Sequence, residues 1–335
     1  MDVLATLPDH RCKMTLSQFI STMNSWGQAQ VPFLFVIDFE MCEPRIYKIE
    51  DVGFNEILYS INGITNAQKK PVGNSNVIRA IESPFSDYEQ KFNKVREHLE
   101  YGDTFLTNLT ISTEVMLDHS LREIFFNSDA KYKLLFDDQF LVFSPETFVK
   151  ISDGKIFSFP MKGTIDASIP GAREKILEDK KELAEHVTIV DLIRNDLSQV
   201  ASSVSVKRFR YVEEVRTRSK NLFQVSSEIC GDLDGGYRAS IGDILVKLLP
   251  AGSVTGAPKP RTVQIIRDVE GESRGFYTGV FGYFDGNNLD SGVMIRFIER
   301  RGSKYFYRSG GGITTQSVVE SEYQEAINKV YVPVA

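Results

Sequence analysis

Segments with strand character come in runs. Residues 133–136, 140–144, 148–152 and 155–159 follow one another with only short turns between them. Residues 104–113 alternate as a half-buried strand does. Further on, 276–285, 289–299 and 304–309 predict a second antiparallel run. A doubly wound parallel sheet needs a crossover helix between successive strands. Grouped strands therefore point to an α+β fold. Helical patterns fall outside these groups, at 16–25, 84–101, 170–190, 239–249, 258–269 and 320–331. In the second of them Phe85, Tyr88, Phe92, Val95 and Leu99 recur at helical spacing, and Gly102 suits a left-handed C-cap. In 170–190 a charged face predicts solvent, while Ile176, Leu183, Val187 and Val190 form the apolar stripe.

The chain has 335 residues, enough for one large domain or two. A net charge of -6 argues against a nucleic-acid surface, though local Lys and Arg can still hold an anionic small molecule. Cys12, Cys42 and Cys230 form no CxxC pair, which predicts a reducing, cytoplasmic setting. His10, His98, His119 and His186 show no metal-ligand spacing. The N-terminus carries Asp2, Asp9 and His10 and lacks the apolar core of a signal peptide. The longest apolar run, 31–37, is too short to span a membrane and predicts a buried strand.

Four segments are dense in reactive groups. Lys162 sits at a turn between Pro160-Met161 and Gly163, and a lysine drawn partly out of water can serve as a neutral amine nucleophile. Glu146, in Ser144-Pro145-Glu146-Thr147, lies sixteen residues earlier, and a returning strand would bring the two together as an acid and an amine or as a plain ion pair. Glu185 precedes an apolar stretch, whereas Asp191 and Arg194 read as an i,i+3 ion pair. The run from Pro250 to Lys259 holds Gly252, Ser253, Thr255 and Gly256 and leads into a helix. It is not a Walker A loop, and its backbone N–H groups suit a carboxylate or small phosphate. Gly310, Gly311 and Gly312 would let backbone approach a ligand, and Glu322, Glu325 and Lys329 follow on one helix face. Carboxylates without histidine suit a hard cation such as Mg²⁺, or simply a solvated face, and Glu270 could add a third.

Together these segments resemble the chorismate-utilising enzymes, over roughly residues 80–332: anthranilate synthase component I, aminodeoxychorismate synthase component I, and the isochorismate and salicylate synthases. The resemblance implies one large domain of antiparallel sheets packed with outer helices, a layered α/β/β/α sandwich. Residues 1–80 would be a shortened N-terminal part of that fold and 81–335 the chorismate-binding catalytic region. It implies Mg²⁺ held by Glu270, Glu322 and Glu325. Arg296 in an Ile-Arg motif and Tyr277 in an Arg-Gly-x-Tyr-x-Gly motif would grip the enolpyruvyl carboxylate. Ser253, Gly311, Gly312 and Lys329 would be further substrate contacts, Glu185 the acid or base on the ring hydroxyl, and Glu146 the partner of Lys162.

Within that resemblance Lys162 selects the branch. Pro-Ile-Lys-Gly-Thr is the aminodeoxychorismate synthase form and Pro-Ile-Ala-Gly-Thr the anthranilate synthase form; this chain has Pro160-Met161-Lys162-Gly163-Thr164. The isochorismate branch places its lysine in a Gly-Asp-x-x-Gln region, and residues 102–110 contain none. The expected activity is Mg²⁺-dependent amination of chorismate at C4, for p-aminobenzoate and folate, with ammonia from a separate glutamine amidotransferase subunit. The alternatives are anthranilate synthase component I and a non-catalytic chorismate-binding protein. Two positions depart from the pattern: Leu106 stands where glutamine is usual, and Gln224 where an active-site histidine is frequent. A glutamine hydrogen-bonds but cannot shuttle a proton.

Overall fold

The computed structural model describes residues 14–68, 78–81, 84–216 and 221–333. Asp2, Asp9, His10 and Cys12 lie outside them. The described strands form two antiparallel sheets of nine. The first runs Met161–Asp166, Asn221–Asp232, Lys155–Ser158, Thr147–Ser152, Leu289–Val293, Val280–Phe284, Phe33–Ile37, Arg45–Lys48, with Ser202–Arg216 also pairing to Asn221–Asp232. The second runs Gly256–Ala257, Leu106–Leu117, Lys304–Ile313, Phe297–Arg301, Phe140–Ser144, Tyr132–Phe136, Ile57–Ile61, Ile64–Thr65, with Ile78–Ala80 on Leu106–Leu117.

The apolar run at 33–37 shows why the sheets face each other. Every residue of Phe33–Ile37 is buried. Successive side chains of a strand point to opposite faces. Leu34 and Val36 join Tyr132, Phe140 and Phe297 in a core shared by both sheets. Phe33, Phe35 and Ile37 face outward and pack with Phe19, Ile189, Ile193 and Leu245 of the covering helices. The second sheet is covered likewise: Tyr88, Phe92, Val95 and Leu99 of helix Phe85–Tyr101 pack on Leu109 and Ile111. Gly102 ends that helix at φ 89°. The α+β class and the layered sandwich are therefore what the chain adopts. Residues 33–65 supply strands to both sheets. Among the described residues no helix is long and apolar enough to cross a membrane.

Four local expectations fail, each for a visible reason. The helical pattern at 170–190 is two helices, Ala172–Glu178 and Lys180–Ser198. Asp179 is extended between them, and its carboxylate accepts from Glu182 N at 2.9 Å as an N-cap. The buried face of the second helix is His186, Ile189, Val190, Ile193, Asp196 and Leu197, so Leu183 and Val187 are exposed. Residues 202–216 and 221–232, for which the sequence predicts no element, form two long antiparallel strands whose register shifts break the two-residue alternation. The strand expected at 289–299 is split: Leu289–Val293 ends in the first sheet, Phe297–Arg301 begins in the second, and Arg296 turns the chain at φ 54°. The three glycines are not a loop but the end of strand Lys304–Ile313, paired residue for residue with 107–110.

The Pro250–Lys259 segment is also more ordered than a loop. It makes a 3-10 turn at Gly252–Val254, then a short strand Gly256–Ala257 against Thr107 and Leu106. Gly256 has φ 143°, and a Cβ there would sit 1.8 Å from the Leu106 carbonyl oxygen. Gly154, at φ 72°, has nothing near its missing Cβ. Gly154→Ala should therefore cost only the backbone term, roughly 1–2 kcal/mol. Gly256→Ala adds displacement of a backbone strand and should cost about 4 kcal/mol or more in urea unfolding. Equal losses in the two variants would remove the close-approach argument.

Candidate active site

Lys162 lies on Met161–Asp166, an end strand of the first sheet. Gly163 follows at φ 80°, where the ladder with Asn221–Asp232 shifts register. A Cβ at Gly163 would come within 3.0 Å of the Glu182 carboxylate. The glycine thus both turns the strand and lets helix Lys180–Ser198 lie close to it.

That helix brings Glu185 to the lysine, with Lys162 Nζ 3.5 Å from Glu185 Oε2. The other oxygen, Oε1, lies 3.8 Å from Lys181 Nζ, which is also 3.8 Å from Glu322 Oε1 on helix Val319–Asn328. Glu322 accepts from Ser317 Oγ at 2.8 Å. One turn on, Glu325 pairs with Lys329 at 2.6 Å, and Lys329 donates to the Gly310 carbonyl at 2.7 Å. Charges alternate along this line, so each carboxylate has a cation beside it.

The glycine strand is the floor under these groups. A Cβ on Gly311 would lie 3.4 Å from Glu322 Oε2 and 3.6 Å from Glu325 Oε1; one on Gly312 would lie 3.5 Å from Lys162 Nζ. Larger residues would take the space in which the charged groups meet.

Glu146 occupies the turn between Phe140–Ser144 and Thr147–Ser152. Ser253 Oγ donates to its Oε1. Burial pushes the Glu146 pKa up, opposed by the Ser253 hydrogen bond and the charges of Lys162, Lys329 and Arg296. Three cations therefore act on this carboxyl, while the carboxylate within ion-pair reach of Lys162 is Glu185. Arg296 stands at the crossing between sheets, its guanidinium 5.1 Å from the Tyr331 ring. Tyr277 is buried beside Arg308, and burial pushes its hydroxyl up to about 12. Glu322 is raised by burial against its Ser317 hydrogen bond, with further repulsion from Glu325 and Glu185. At Glu325 burial pushes the pKa up, but the Lys329 charge and hydrogen bond, with the Lys162 and Lys181 charges, together hold it below its usual value. The cleft thus offers cations for an anionic ligand and, interleaved with them, carboxylates whose mutual repulsion a bound cation would relieve.

A sequence model described as chorismate binding enzyme matches residues 45–335. The chain belongs to that family. This chorismate binding enzyme is 46% identical over 320 residues to an "uncharacterized PabA-like protein" of Haemophilus influenzae, covering 96% of this chain and 98% of that one. It is 35% identical to anthranilate synthase component 1 of Archaeoglobus fulgidus, over 77% of this chain and 63% of that one. It is 30% identical to aminodeoxychorismate synthase component 1 of Bacillus subtilis, over 88% of this chain and 63% of that one.

The structure brings Lys162, Glu185, Glu322, Glu325 and Lys329 together over Gly311 and Gly312, with Glu146 and Ser253 beside them, while Tyr277 lies in the buried core against Arg308. Glu270 is 5% exposed, and both its oxygens are held by Arg274, at 2.7 Å and 2.9 Å. Thr110 N and Oγ1 also donate to it, each at 2.9 Å. Glu270 is thus a structural partner of Arg274 and not a third member of an open carboxylate set. Among the described residues no group of three His, Cys, Asp or Glu gathers closely enough to hold a metal ion. Mg²⁺ is commonly held by one or two carboxylates and keeps its waters. Glu322 and Glu325, whose carboxylates lie 3.4 Å and 3.6 Å from the place a Cβ on Gly311 would take, fit that requirement.

Lys181 and Glu182 are part of the site although the sequence puts them on a solvated face. Leu106 is buried beneath Gly312. Gln224 pairs with Thr164, two residues after Lys162. The expected Asp191–Arg194 pair forms on the helix surface at 3.3 Å.

Breaking a buried ion pair from one side costs about 3–5 kcal/mol. Glu270→Ala should therefore show a loss of that size in urea unfolding, and a near-native value would return Glu270 to the ligand set.

His186, next to Glu185, is fully buried with Nε2 2.7 Å from Ser227 Oγ. Burial, then the Arg210 and Lys162 charges, lower its pKa from 6.5 to about 4. The unfolded chain binds the extra proton between these values. The stabilisation is therefore full above the unfolded pKa and is lost as pH falls towards the folded one, roughly 3 kcal/mol in all. Unfolding free energy should drop on acidification through this window, and the slope should flatten in His186→Gln; identical slopes would exclude His186 as the cause.

Proposed function

We propose that this chorismate binding enzyme aminates chorismate at C4, giving 4-amino-4-deoxychorismate, with Lys162 as a covalent nucleophile. The observation that carries the reading is the Lys162 ammonium, set between Gly312 and a carboxylate 3.5 Å away that can take its proton. The neutral amine attacks C2, and the C4–O bond breaks. Glu146, whose protonated form burial favours, gives its proton to the departing hydroxide. Ammonia then forms a bond to C4, the C2–Nζ bond breaks, and Lys162 leaves as the free amine. The proton shed by the new C4 ammonium returns to Glu146. Chorismate and ammonia thereby yield the amino product and water.

Arg296 and Tyr277 would hold the enolpyruvyl carboxylate, with Ser253, Lys329 and the backbone of Gly311 and Gly312 as further contacts. Glu322 and Glu325 are the residues that would hold Mg²⁺. That ion, when bound, would neutralise the ring carboxylate. The "component 1" names of the relatives support a separate glutamine amidotransferase as the ammonia source.

A second reading, anthranilate synthase, is favoured by the 35% identity to an enzyme of that name. Direct attack of ammonia at C2 would serve it and would leave Lys162 without a covalent role. Incubation with chorismate, Mg²⁺ and ¹⁵N-ammonium separates the two. Aminodeoxychorismate carrying ¹⁵N is expected from the native chain, with an adduct on Lys162 in the intact-protein mass. In Lys162→Ala turnover should fall by at least about a thousandfold, as for other removed nucleophiles. Undiminished turnover in that variant, or fluorescent anthranilate as the product, would overturn the proposal.

A further inference from the structure

Behind Glu146 and Ser253 the fold leaves a cavity of about 30 Å³. Its walls are largely apolar: Phe148 and Val149 from one strand, Ile193 and Leu197 from helix Lys180–Ser198, then Leu248 and Ala251. Phe159 and Pro160, just ahead of Lys162, line it as well. Glu146 and Ser253 supply polar groups from the candidate site. The other charged group in the lining is Asp196, whose carboxylate is paired with Lys259 at 2.7 Å. A water-sized molecule needs about 10–15 Å³ by this measure, so the cavity takes one or two such molecules and nothing as large as a ring.

We propose that this cavity is the holding site of the amino donor, a small neutral amine of ammonia's size. The inference rests on the amination reading given above. Three observations carry it. Size excludes the ring substrate and admits ammonia. Apolar walls penalise the ammonium ion, which would lose its hydration there, and accept the neutral molecule, the form with a lone pair to attack carbon. Position then matters: the cavity borders Glu146, the group that takes up the proton released when the C4–N bond forms. An amine waiting there lies against the apolar side chains of Phe148, Ile193 and Leu197. None of these wall residues has a role in the chemistry otherwise.

Two kinds of variant test this, with urea unfolding as the check on folding. Val149→Phe and the milder Ala251→Val fill the cavity; Leu248→Ala enlarges it. Initial rates are measured against ammonium chloride at saturating chorismate, then against methylamine. One added methylene is worth about tenfold or more in such discrimination, so filling should raise the KM for ammonia by about that factor with the chorismate KM unchanged. Leu248→Ala should accept methylamine and yield the N-methyl product by mass, which the native chain should not. Folded filling variants with the native ammonia KM overturn the inference. Should neither filling variant fold, Leu248→Ala decides, and rejection of methylamine at the native level overturns it. A native chain that takes up no nitrogen from ammonium overturns the amination reading and this inference with it, whereas uptake with indifferent variants overturns the inference alone.

Discussion

The guanidinium of Arg274 is the interaction on which the rest of the site is built. It is 1% exposed and stacks 4.8 Å from the Phe39 ring. It donates twice to Glu270, once to the Val254 carbonyl at 2.7 Å and once to the Asn108 carbonyl at 2.8 Å. The backbone N–H groups of Arg274 and Gly275 donate to the Glu40 carboxylate. One side chain thus ties helix Lys259–Glu270, the turn that carries Ser253, and the strand facing the glycines. A buried charge is tolerated only when its hydrogen-bonding capacity is filled, and here the partners are nearly all backbone or a single carboxylate. Ser253 can hold Glu146 because its turn is fixed from behind.

The cleft itself is an electrostatic compromise. Lys162, Lys181 and Lys329 alternate with Glu185, Glu322 and Glu325, so neither sign dominates and the cluster can exist without ligand. The same alternation makes the groups exchangeable. An arriving dicarboxylate competes for the lysines, an arriving cation competes for the glutamates, and each relieves the imbalance left by the other. Burial acts unevenly on this set, raising Glu146 and Glu322 while Lys329 holds Glu325 down. One chain therefore presents carboxyl groups of differing proton affinity within a single cleft.

Much of this was legible in the sequence where the determinants are local. The spacing of Phe85 to Leu99 and the glycine after it define a helix and its end without help from the rest of the chain. Lys162 and Glu185 stand out by their neighbours, whereas Glu322 and Glu325 also read as a solvated acidic face and take a role only from the family resemblance. What escaped depends on distant partners. Lys181 reads as one of several surface charges, and only the docking of helix Val319–Asn328 shows that it faces Glu322. Glu270 reads as a spare carboxylate, yet Arg274 lies four residues on, and only the burial of both reveals the pair. Residues 289–299 read as one strand because nothing in Val293-Met294-Ile295 marks a change of sheet. The paired strands Ser202–Arg216 and Asn221–Asp232 hide behind bulges that scramble their alternation.

That change of sheet bears on how the protein can move. The chain passes from the first sheet at Val293 to the second at Phe297 with Arg296 at the crossing. Gliding of one sheet over the other would therefore stretch or twist the peptide at that residue. The sandwich is pinned at the place where a ligand carboxylate would be gripped. The outer helices Lys180–Ser198 and Val319–Asn328 are joined across the site by the Lys181–Glu322 pair, so a ligand that takes either charge changes how the two helices are tied. The sheets are joined by backbone, whereas these two helices are joined across the site by charge.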